Sequence, residues 1–433
     1  MGETPERIGI MAIIALLLSS LLLIYSSKKM SANIMAPASF ISIFWSVFVF
    51  ISLAGTITLY EWDYYGIFWI YISLLFLNVS YLAAAPFHLV VFRSSAVKKI
   101  ELTDISSLSW KVLSVLILLG LAKWAFQVYV NGFSLADFMS LENLADMNHE
   151  FAVNRYSGAG NEGGAAGSII SILNAMVYAA PLCGGFSYAY GKTKKQKQLS
   201  LLSLLPAFLV TMTNNTKAGM IGSLLLFLSS YIIGYYSHHK TWIHFKFKTL
   251  LIVFIGFSAF LSMMLFSMML RIGSVDAYTF YIVMQKIVIY AFGNVQSFDI
   301  WLSRFYEVGN NTFGAMTFLG VADTLGVIER IQGVYTDLLG TSSNVFTVFR
   351  GIISDFGFIG GTLFVMLQGF FLRIAANSIH DSSNPYFSVS VASSIVFFFT
   401  YGMIISPWTY LSFILAFCIF MLYVSIAYYY VNH

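Results

Sequence analysis

The chain has 433 residues with a formal net charge of +4, and 58% of its residues are hydrophobic whereas only 10% are charged. Soluble domains carry about 25% charged residues, so this composition excludes a soluble globular protein. Apolar runs of about 20 residues recur along the chain, which is the length that a transmembrane helix needs. The sequence therefore predicts an all-α polytopic integral membrane protein, with residues 1–433 forming a single membrane domain.

Eleven apolar runs follow one another along the chain, and each predicts a transmembrane helix. The runs cover residues 9–27, 36–58, 65–92, 109–131, 167–190, 197–213, 218–237, 248–270, 353–375, 385–404 and 407–430. The third run is long enough either to tilt in the bilayer or to break near Pro86. Both cysteines, Cys183 and Cys418, lie inside apolar runs, so they predict neither a disulfide framework nor a metal site.

The charge of the connecting loops alternates along the chain. Most of the loop lysines and arginines follow odd-numbered runs, as at Lys28, Lys29 and residues 192–197, whereas acidic residues dominate the opposite side. Under the positive-inside rule the basic loops face the cytoplasm. We therefore predict an external N-terminus and a cytoplasmic C-terminus.

Two of the predicted external segments are longer than ordinary connections. Residues 131–166 carry His149 and end in a glycine-rich stretch, and residues 271–352 form a second, much longer loop. Loops of that length are usually functional or disordered, and this one is too aromatic to be disordered. Within it, Tyr278 to Phe292 predicts a helix that lies in the membrane interface or dips into the membrane. A twelfth transmembrane helix is the alternative, which two adjacent polar residues in the middle of the stretch disfavour.

Four cations stand near the outer ends of predicted spans, where charge is costly. They are Lys123, Lys217, Arg271 and Arg350. In one interpretation each side chain only lifts its charge to the membrane surface, and Arg350 forms an ion pair with Asp355. In the other the cations converge on an anion, since arginine binds phosphate through two parallel hydrogen bonds and lysine adds a point charge. A lipid diphosphate is an anion that reaches such a site from the membrane plane.

The motifs in the sequence indicate no cofactor. The chain has no Walker motif, no glycine-rich dinucleotide loop after a strand, and no external cluster of histidine, cysteine or aspartate typical of a metal site. We therefore predict a chemistry without nucleotide or metal, and no nucleic-acid partner. His149 is a candidate general base, although a lone histidine in a loop is more often a simple surface residue.

The last third of the chain resembles the oligosaccharide repeat-unit polymerases, the Wzy-type O-antigen and capsule polymerases of bacteria. The similarity rests on Gly314-Ala-Met-Thr-Phe and, after a long loop, on Asn344-Val-Phe-Thr-Val-Phe-Arg and Ser354-Asp-Phe-Gly-Phe-Ile-Gly. The family usually carries a basic residue, often arginine, in a short outer turn. Thr216-Lys217-Ala-Gly is similar, with lysine in that place.

The resemblance implies a GT-C-like membrane glycosyltransferase of the bacterial inner membrane. Such an enzyme takes a glycan from its polyprenyl diphosphate and joins it to a new lipid-linked repeat unit at the periplasmic face. Its expected partners are polyprenyl-diphosphate-linked oligosaccharide, membrane lipid and a chain-length regulator protein. The predicted catalytic residues are Arg271, Arg350, Asp355 and His149, and the predicted substrate-binding residues are Lys217, Lys123, Asn344 and Tyr290. Asp355 and His149 are equal candidates for the general base.

Two other functions fit the same composition. A lipid-linked oligosaccharide flippase would share the apolar content and the intramembrane cations. It would, however, spread its charges through a central cavity and would not need so long an external loop. An O-antigen ligase would share the fold and the chemistry and would differ in its acceptor, so the sequence separates it poorly from a polymerase.

Overall fold

The computed structural model describes most of the chain, in segments separated by gaps. It describes residues 17–29, 33, 35–56, 62–87, 105–134, 136, 137, 140, 143, 146, 147, 150, 165–214, 217–243, 262, 265, 266, 268, 269, 276–304, 311–328, 336–338, 341–343, 345–381 and 385–429. Of residues 165–171, 217, 285, 336–338, 341–343 and 429 it describes the backbone only.

The described part of the chain is almost entirely α-helical. After helix α1 (residues 17–29) come α2 Pro37–Thr56, α3 Tyr65–Ala83, α4 Ser107–Val130, α5 Ala165–Tyr190, α6 Lys194–Leu202, α7 Leu205–Asn214, α8 Lys217–His239, α9 Ala277–Ser303, α10 Leu319–Thr324, α11 Val348–Asp381, α12 Tyr386–Tyr401 and α13 Leu411–Tyr429. A short antiparallel hairpin pairs β1 (Thr336–Leu338) with β2 (Thr341–Ser343), and a 3-10 turn covers Pro407–Thr409.

Among the described residues, six helices are long and apolar enough to cross a membrane. They cover Pro37–Thr56, Tyr65–Ala83, Ser107–Val130, Ala218–His239, Val348–Asp381 and Leu411–Tyr428. The predicted class, a helical membrane protein, is therefore confirmed. The larger number of eleven spans stays a prediction.

Local sequence signals set where the helices begin. The hydroxyl of Ser106 accepts a hydrogen bond of 3.2 Å from the N–H of Ser109 and so caps α4. At α6, Thr193 and Gln196 form a capping box, in which the side chain of each accepts a hydrogen bond from the backbone N–H of the other. These bonds satisfy N–H groups that have no partner inside the helix.

The chain folds as two compact units. Unit 1 contains Met1–Arg93, Val288–Asp381 and Ser394–Thr409. Unit 2 contains Ser94–Ile287, Ser382–Ser393 and Tyr410–His433. Each unit is therefore assembled from segments that are distant in the sequence.

Helices α3 and α11 form the centre of unit 1, and α2 packs beside them. Gly369 of α11 permits their close approach, because a Cβ atom there would lie 2.3 Å from the carbonyl oxygen of Leu77 in α3. Aromatic rings fill the space nearby. The ring centroid of Phe349 lies 4.9 Å from that of Trp45 and 5.4 Å from that of Trp69. Buried rings of this size contribute strongly to the stability of a core.

Helix α5 is the centre of unit 2 and packs against α4, α8 and α13. A Cβ atom at Gly185 would lie 2.1 Å from the carbonyl oxygen of Phe227, so this glycine lets α5 and α8 approach closely. Hydroxyl groups pair in the interior, as small polar residues do between membrane helices. Ser187 and Tyr423, for example, share a hydrogen bond of 2.5 Å.

The predicted span over residues 197–213 is not one helix. Helix α6 ends at Leu202 and α7 begins at Leu205. Pro206 explains the break, since it has no N–H to donate to Leu202 and is well tolerated only in the first turn of a new helix. With 10 residues, α7 is about 15 Å long, which is half the thickness of the hydrocarbon core.

Other predicted elements differ from the structure mainly at their ends. The third apolar run was expected either to tilt or to break near Pro86. Helix α3 stops at Ala83, so the helix breaks close to that proline. The helix predicted over 278–292 is present and continues to Ser303 as α9. Arg350 lies in the first turn of α11, which begins at Val348, and a break at Gly357 separates it from the longer part of that helix. The run 248–270 lies almost wholly outside the described residues.

Candidate functional site

Asp355 is the centre of a polar cluster in unit 1. Its side chain is fully buried. One carboxylate oxygen, Oδ1, accepts hydrogen bonds from the hydroxyl of Thr312 at 2.5 Å and from the N–H of Met316 at 2.9 Å. The other, Oδ2, accepts from the N–H of Thr317 at 2.6 Å. The carboxylate thereby holds the turn over residues 312–318 against α11, through bonds that its charge strengthens.

Gly357 divides α11 into two pieces. Its backbone angles, φ 65° and ψ −171°, are not helical, although helix continues on both sides. Only glycine adopts this conformation readily, because a side chain would collide with the backbone. Helix α11 is therefore a short helix over residues 348–356, followed by a long helix over residues 358–381.

The break in α11 leaves carbonyl groups at the end of the short helix without partners in the helix. The 312–318 turn supplies them. The N–H of Thr312 donates to the carbonyl oxygen of Ser354, and the N–H of Phe313 donates to that of Asp355, both at 3.1 Å. The turn and the broken helix thus complete each other's backbone hydrogen bonds.

Asp355-Phe356-Gly357 is the motif that the sequence analysis singled out, and each residue has a structural task. Asp355 binds the turn and Gly357 breaks the helix. The ring of Phe356 stacks on that of Phe364, with centroids 5.5 Å apart, and so fixes the short helix to the long one. The pattern therefore specifies a local structure as well as any chemistry.

Arg350 lies in the first turn of α11 and is half-buried. Its guanidinium carbon is 3.7 Å from the ring centroid of Phe346 and 5.3 Å from that of Trp301 in α9. Both rings are buried. They attract the cation electrostatically and fix its position, whereas Asp355 directs its carboxylate to the turn.

Asp299, which sequence reasoning did not select, binds the start of α3 from α9. Its Oδ2 accepts from the N–H groups of Asp63 at 2.7 Å and Tyr64 at 2.8 Å, and its Oδ1 accepts from that of Gly66 at 2.6 Å. A carboxylate suits a helix N-terminus, where N–H groups lack partners and the helix dipole is positive. Burial nevertheless raises the pKa of Asp299 to about 6, against the lowering effect of the three N–H groups.

Lys123 begins a chain of polar side chains in unit 2. It is only 5% exposed, and its ammonium group donates to the side-chain oxygen of Gln127, one turn further along α4. The amide of Gln127 in turn donates to Asn214, the last residue of α7. An ammonium group that is buried beside a neutral amide has little compensation for its lost hydration, so the position favours a bound anion.

The structure places the other predicted site residues as follows. Tyr290 lies in α9 and is partly exposed, and Lys217 begins α8 with its side chain outside the described residues. His149, Arg271 and Asn344 lie outside the described residues. Arg350 and Asp355 share one helix of unit 1, whereas Lys123 and Lys217 belong to unit 2. Convergence of the four cations on one anion stays a prediction.

Within the described ranges, no group of three histidine, cysteine, aspartate or glutamate side chains is arranged to hold a metal ion. Comparisons with models of protein families, with curated proteins and with solved structures found no match to this chain. Its function is therefore inferred from its own residues and geometry.

Proposed function

We propose that the chain is a membrane glycosyltransferase that joins polyprenyl-diphosphate-linked oligosaccharide units into an O-antigen or capsule type of polysaccharide. The observation that carries this proposal is Arg350, a guanidinium held by two buried rings in the short helix that leads into the long, apolar part of α11. A diphosphate on a polyprenyl lipid reaches such a position along the membrane plane. Phosphate binds at the edge of a guanidinium group, a different part of the group from the face that aromatic rings contact.

The chemistry of the proposed reaction requires fixed positive charge. When a sugar leaves a lipid diphosphate, negative charge builds up on the departing phosphate, and cations already in place lower the barrier most effectively. We assign this task to Arg350, with Arg271 and Lys217 as further candidates. An acceptor hydroxyl then attacks the anomeric carbon, which becomes bonded to the acceptor oxygen as its bond to the diphosphate breaks. The activated donor supplies the driving force.

Lys123 is the substrate-binding residue of the proposal in unit 2. Its burial and its neutral partner, Gln127, make it a position where a phosphate would replace lost hydration. The proposed reaction uses two lipid diphosphates, a donor and an acceptor. More than one phosphate-binding position is therefore expected in the chain.

Asp355 takes a positioning role in the proposal. Its two oxygens already accept three hydrogen bonds from the 312–318 turn, so acting as a general base would require it to exchange one of these partners. His149 stays the other candidate base. Aromatic residues of the 271–352 segment are further candidates, since their rings could stack on sugar rings. Of these, Trp301 is buried against Arg350, whereas Tyr278 and Tyr281 are well exposed.

The proposal places the protein in the bacterial cytoplasmic membrane, with the reaction and the N-terminus on the periplasmic side and the C-terminus in the cytoplasm. The partners would be the lipid-linked oligosaccharide, membrane lipid and a chain-length regulator protein. Its support is the alternating charge of the loops, which puts the arginines of the site on the side with fewer basic residues.

The decisive experiment separates a polymerase from a flippase. Detergent-solubilised protein is incubated with the lipid-linked repeat unit and a chelator, and the products are analysed by mass spectrometry. A polymerase makes dimers and trimers and releases one polyprenyl diphosphate for each bond formed, because detergent removes the compartments but not the chemistry. Unchanged monomer from well-folded protein, together with movement of the unit across vesicle membranes, would establish the flippase instead.

A lipid A core acceptor, added to the same reaction, distinguishes the ligase. A ligase transfers the glycan to this acceptor and makes no longer lipid-linked chains. A polymerase does not use it.

The Arg304→Ala variant serves as the matched control for substitutions of Arg350, because it also removes a positive charge. Arg304 is exposed at the end of α9 and has no role in the proposed site.

A further inference from the structure

Residues 311–328, which contain the turn bound by Asp355, are unusually apolar for a connection. Asp323 is their single charged residue. Several of their large side chains are nevertheless exposed, with Phe313 at 86%, Leu325 at 72% and Val327 at 66%. Soluble proteins rarely present so continuous an apolar surface to water, and such surfaces usually mark an interaction site.

The turn reaches down the side of a membrane-crossing helix. At its beginning, Thr312 and Phe313 bond to the carbonyl groups at the break in α11. Further along, the ring of Phe318 meets that of Phe364, with centroids 6.4 Å apart. Phe364 lies about 9 Å along the helix that starts at residue 358, since each helical residue advances about 1.5 Å. The ring of Phe318 therefore lies alongside the long helix, less than two helical turns from its start.

The exposed face of this segment adjoins the lipid-facing surface of α11. Beyond the break, α11 exposes a stripe of large apolar side chains at helical spacing: Ile359, Leu363, Leu367 and Phe371. A membrane-crossing helix presents such a stripe to acyl chains. Phe318 packs on Phe364, the immediate neighbour of Leu363 in this stripe. The segment is thus continuous with the apolar surface that α11 would present to lipid.

Most of the backbone N–H groups in the segment have a partner within the protein. The N–H groups of residues 312, 313, 315–318, 321, 322 and 325–327 all donate to backbone carbonyls or to the carboxylate of Asp355. In lipid an unpaired N–H costs several kcal/mol, so irregular backbone at membrane depth must lie against protein or a water-filled cavity, as the 312–318 turn lies against α11. A loop in water would need no such arrangement.

We propose that residues 312–327 form a re-entrant element that inserts into the bilayer leaflet at this end of α11. Lipid covers the exposed apolar face of this element. The acyl chains next to the headgroups contact Phe313, Leu325 and Val327, while Asp323 stays at headgroup level. Asp355 anchors the element by binding its first turn. The inference concerns the surface of unit 1 alone and holds for a polymerase, a ligase or a flippase.

The test places a single fluorescent label in the segment. In a background with Cys183→Ala and Cys418→Ser, the Leu325→Cys variant is labelled with an NBD maleimide and reconstituted into phosphatidylcholine nanodiscs. Quenching by nitroxide lipids, which carry the nitroxide near the headgroup, is compared with quenching by aqueous iodide. Leu363→Cys on the exposed stripe of α11 is the lipid control, and Asp137→Cys, on a partly exposed residue of the polar 131–166 segment, is the water control.

Labels at Leu325 and at Val327 should behave like the label at Leu363, with blue-shifted emission, strong nitroxide quenching and weak iodide quenching. Iodide quenching as strong as at Asp137 would overturn the proposal. So would protection from both quenchers, since the segment would then be covered by protein. Both reporters replace exposed side chains, and a monodisperse elution profile confirms that each labelled variant is folded before it is compared.

Discussion

Two buried aspartates organise unit 1, and both do so by accepting backbone N–H groups. Asp355 takes two from the 312–318 turn, and Asp299 takes three from the start of α3. A carboxylate is suited to this because it only accepts and has room for several donors. Arg350 contacts the faces of two aromatic rings, those of Phe346 and Trp301. Ring contacts therefore help to position the cation of the proposed site, whereas the two aspartates position the turn and the helix start in the same unit.

Asp299 should make the stability of the protein depend on pH. Because burial raises its pKa to about 6, the folded state favours the protonated acid. Its contribution to the free energy of unfolding is therefore fully present below the ordinary pKa of about 4 and is lost as the pH rises through 6. The unfolding midpoint of the wild type, relative to that of the non-titrating Asp299→Asn variant, should fall between pH 4 and pH 7.

Asp137 provides the control for this measurement. Hydrogen bonds from the N–H and hydroxyl of Ser134 lower the pKa of this partly exposed acid, so above about pH 5 it is ionised in both the folded and the unfolded state. Above that pH the Asp137→Asn variant should show a constant difference from the wild type. A rising difference at Asp299, or equal slopes at both positions, would contradict the assignment.

Replacing Arg350 should abolish polymer formation without lowering the amount of the protein in the membrane. Arg350→Ala deletes the proposed phosphate contact, and a loss on the order of 100-fold or more is expected when a fixed charge of this kind disappears. Arg350→Lys should not restore activity, because lysine lacks the planar pair of donors. Surface glycan on a gel, beside a measurement of protein level, is the read-out, and single repeat units on the lipid core are the expected product.

The Arg304→Ala control should keep a full ladder of chains. Full ladders from both Arg350 variants would exclude this residue from the site. A bare lipid core, without even one repeat unit, would point to a ligase or flippase defect instead.

At the scale of elements, α11 shows how one glycine creates both a helix break and a binding surface for a turn. Gly357→Ala should destabilise the protein by about 1–3 kcal/mol, because alanine tolerates its backbone angles poorly. Gly293→Ala is the matched control, since a Cβ atom there meets only a methyl group of Ile289, at 3.8 Å, in a regular helix. That change should be neutral or stabilising by about 0.5–1 kcal/mol. Unfolding midpoints of the two variants in the same detergent decide between these outcomes.

Helix breaks were the hardest elements to foresee from the sequence. Hydropathy averages over a window of residues, so it joined α6 to α7 across Ser203 and did not register Gly357 at all. Pro206 carried a readable signal, because proline disfavours the interior of a helix. Gly357 carried little, since glycine is common in membrane helices and only the bonds of Thr312 and Phe313 make a break there favourable.

At the scale of the whole molecule, orientation is the prediction that the sequence makes most directly. A fluorescent reporter that works only in the cytoplasm, fused after His433, should be bright, and an enzyme reporter that works only in the periplasm should be active after Gly333. A dark C-terminal fusion in a protein that inserts normally would reverse the topology.

The sequence predicted the class of the fold well and the site only in part. Composition and apolar runs suffice to predict a helical membrane protein, because the length and hydrophobicity of a membrane-crossing helix can be read from a local stretch of sequence. Arg350 and Asp355 were found because charges beside a span are conspicuous. Asp299 was missed because its partners, Asp63, Tyr64 and Gly66, lie far away in the chain, and the lone acid in Phe298-Asp-Ile-Trp301 was the only local sign.

The short α7 also constrains how the protein is made. The insertion machinery of a membrane admits a segment when about 20 apolar residues emerge together, and the 10 residues of α7 do not meet that length. Helix α8, which starts at Lys217 directly after it and has 23 residues, does. We therefore expect the two helices to enter the bilayer together as a hairpin, so that a ribosome paused before residue 239 would hold α7 outside the membrane.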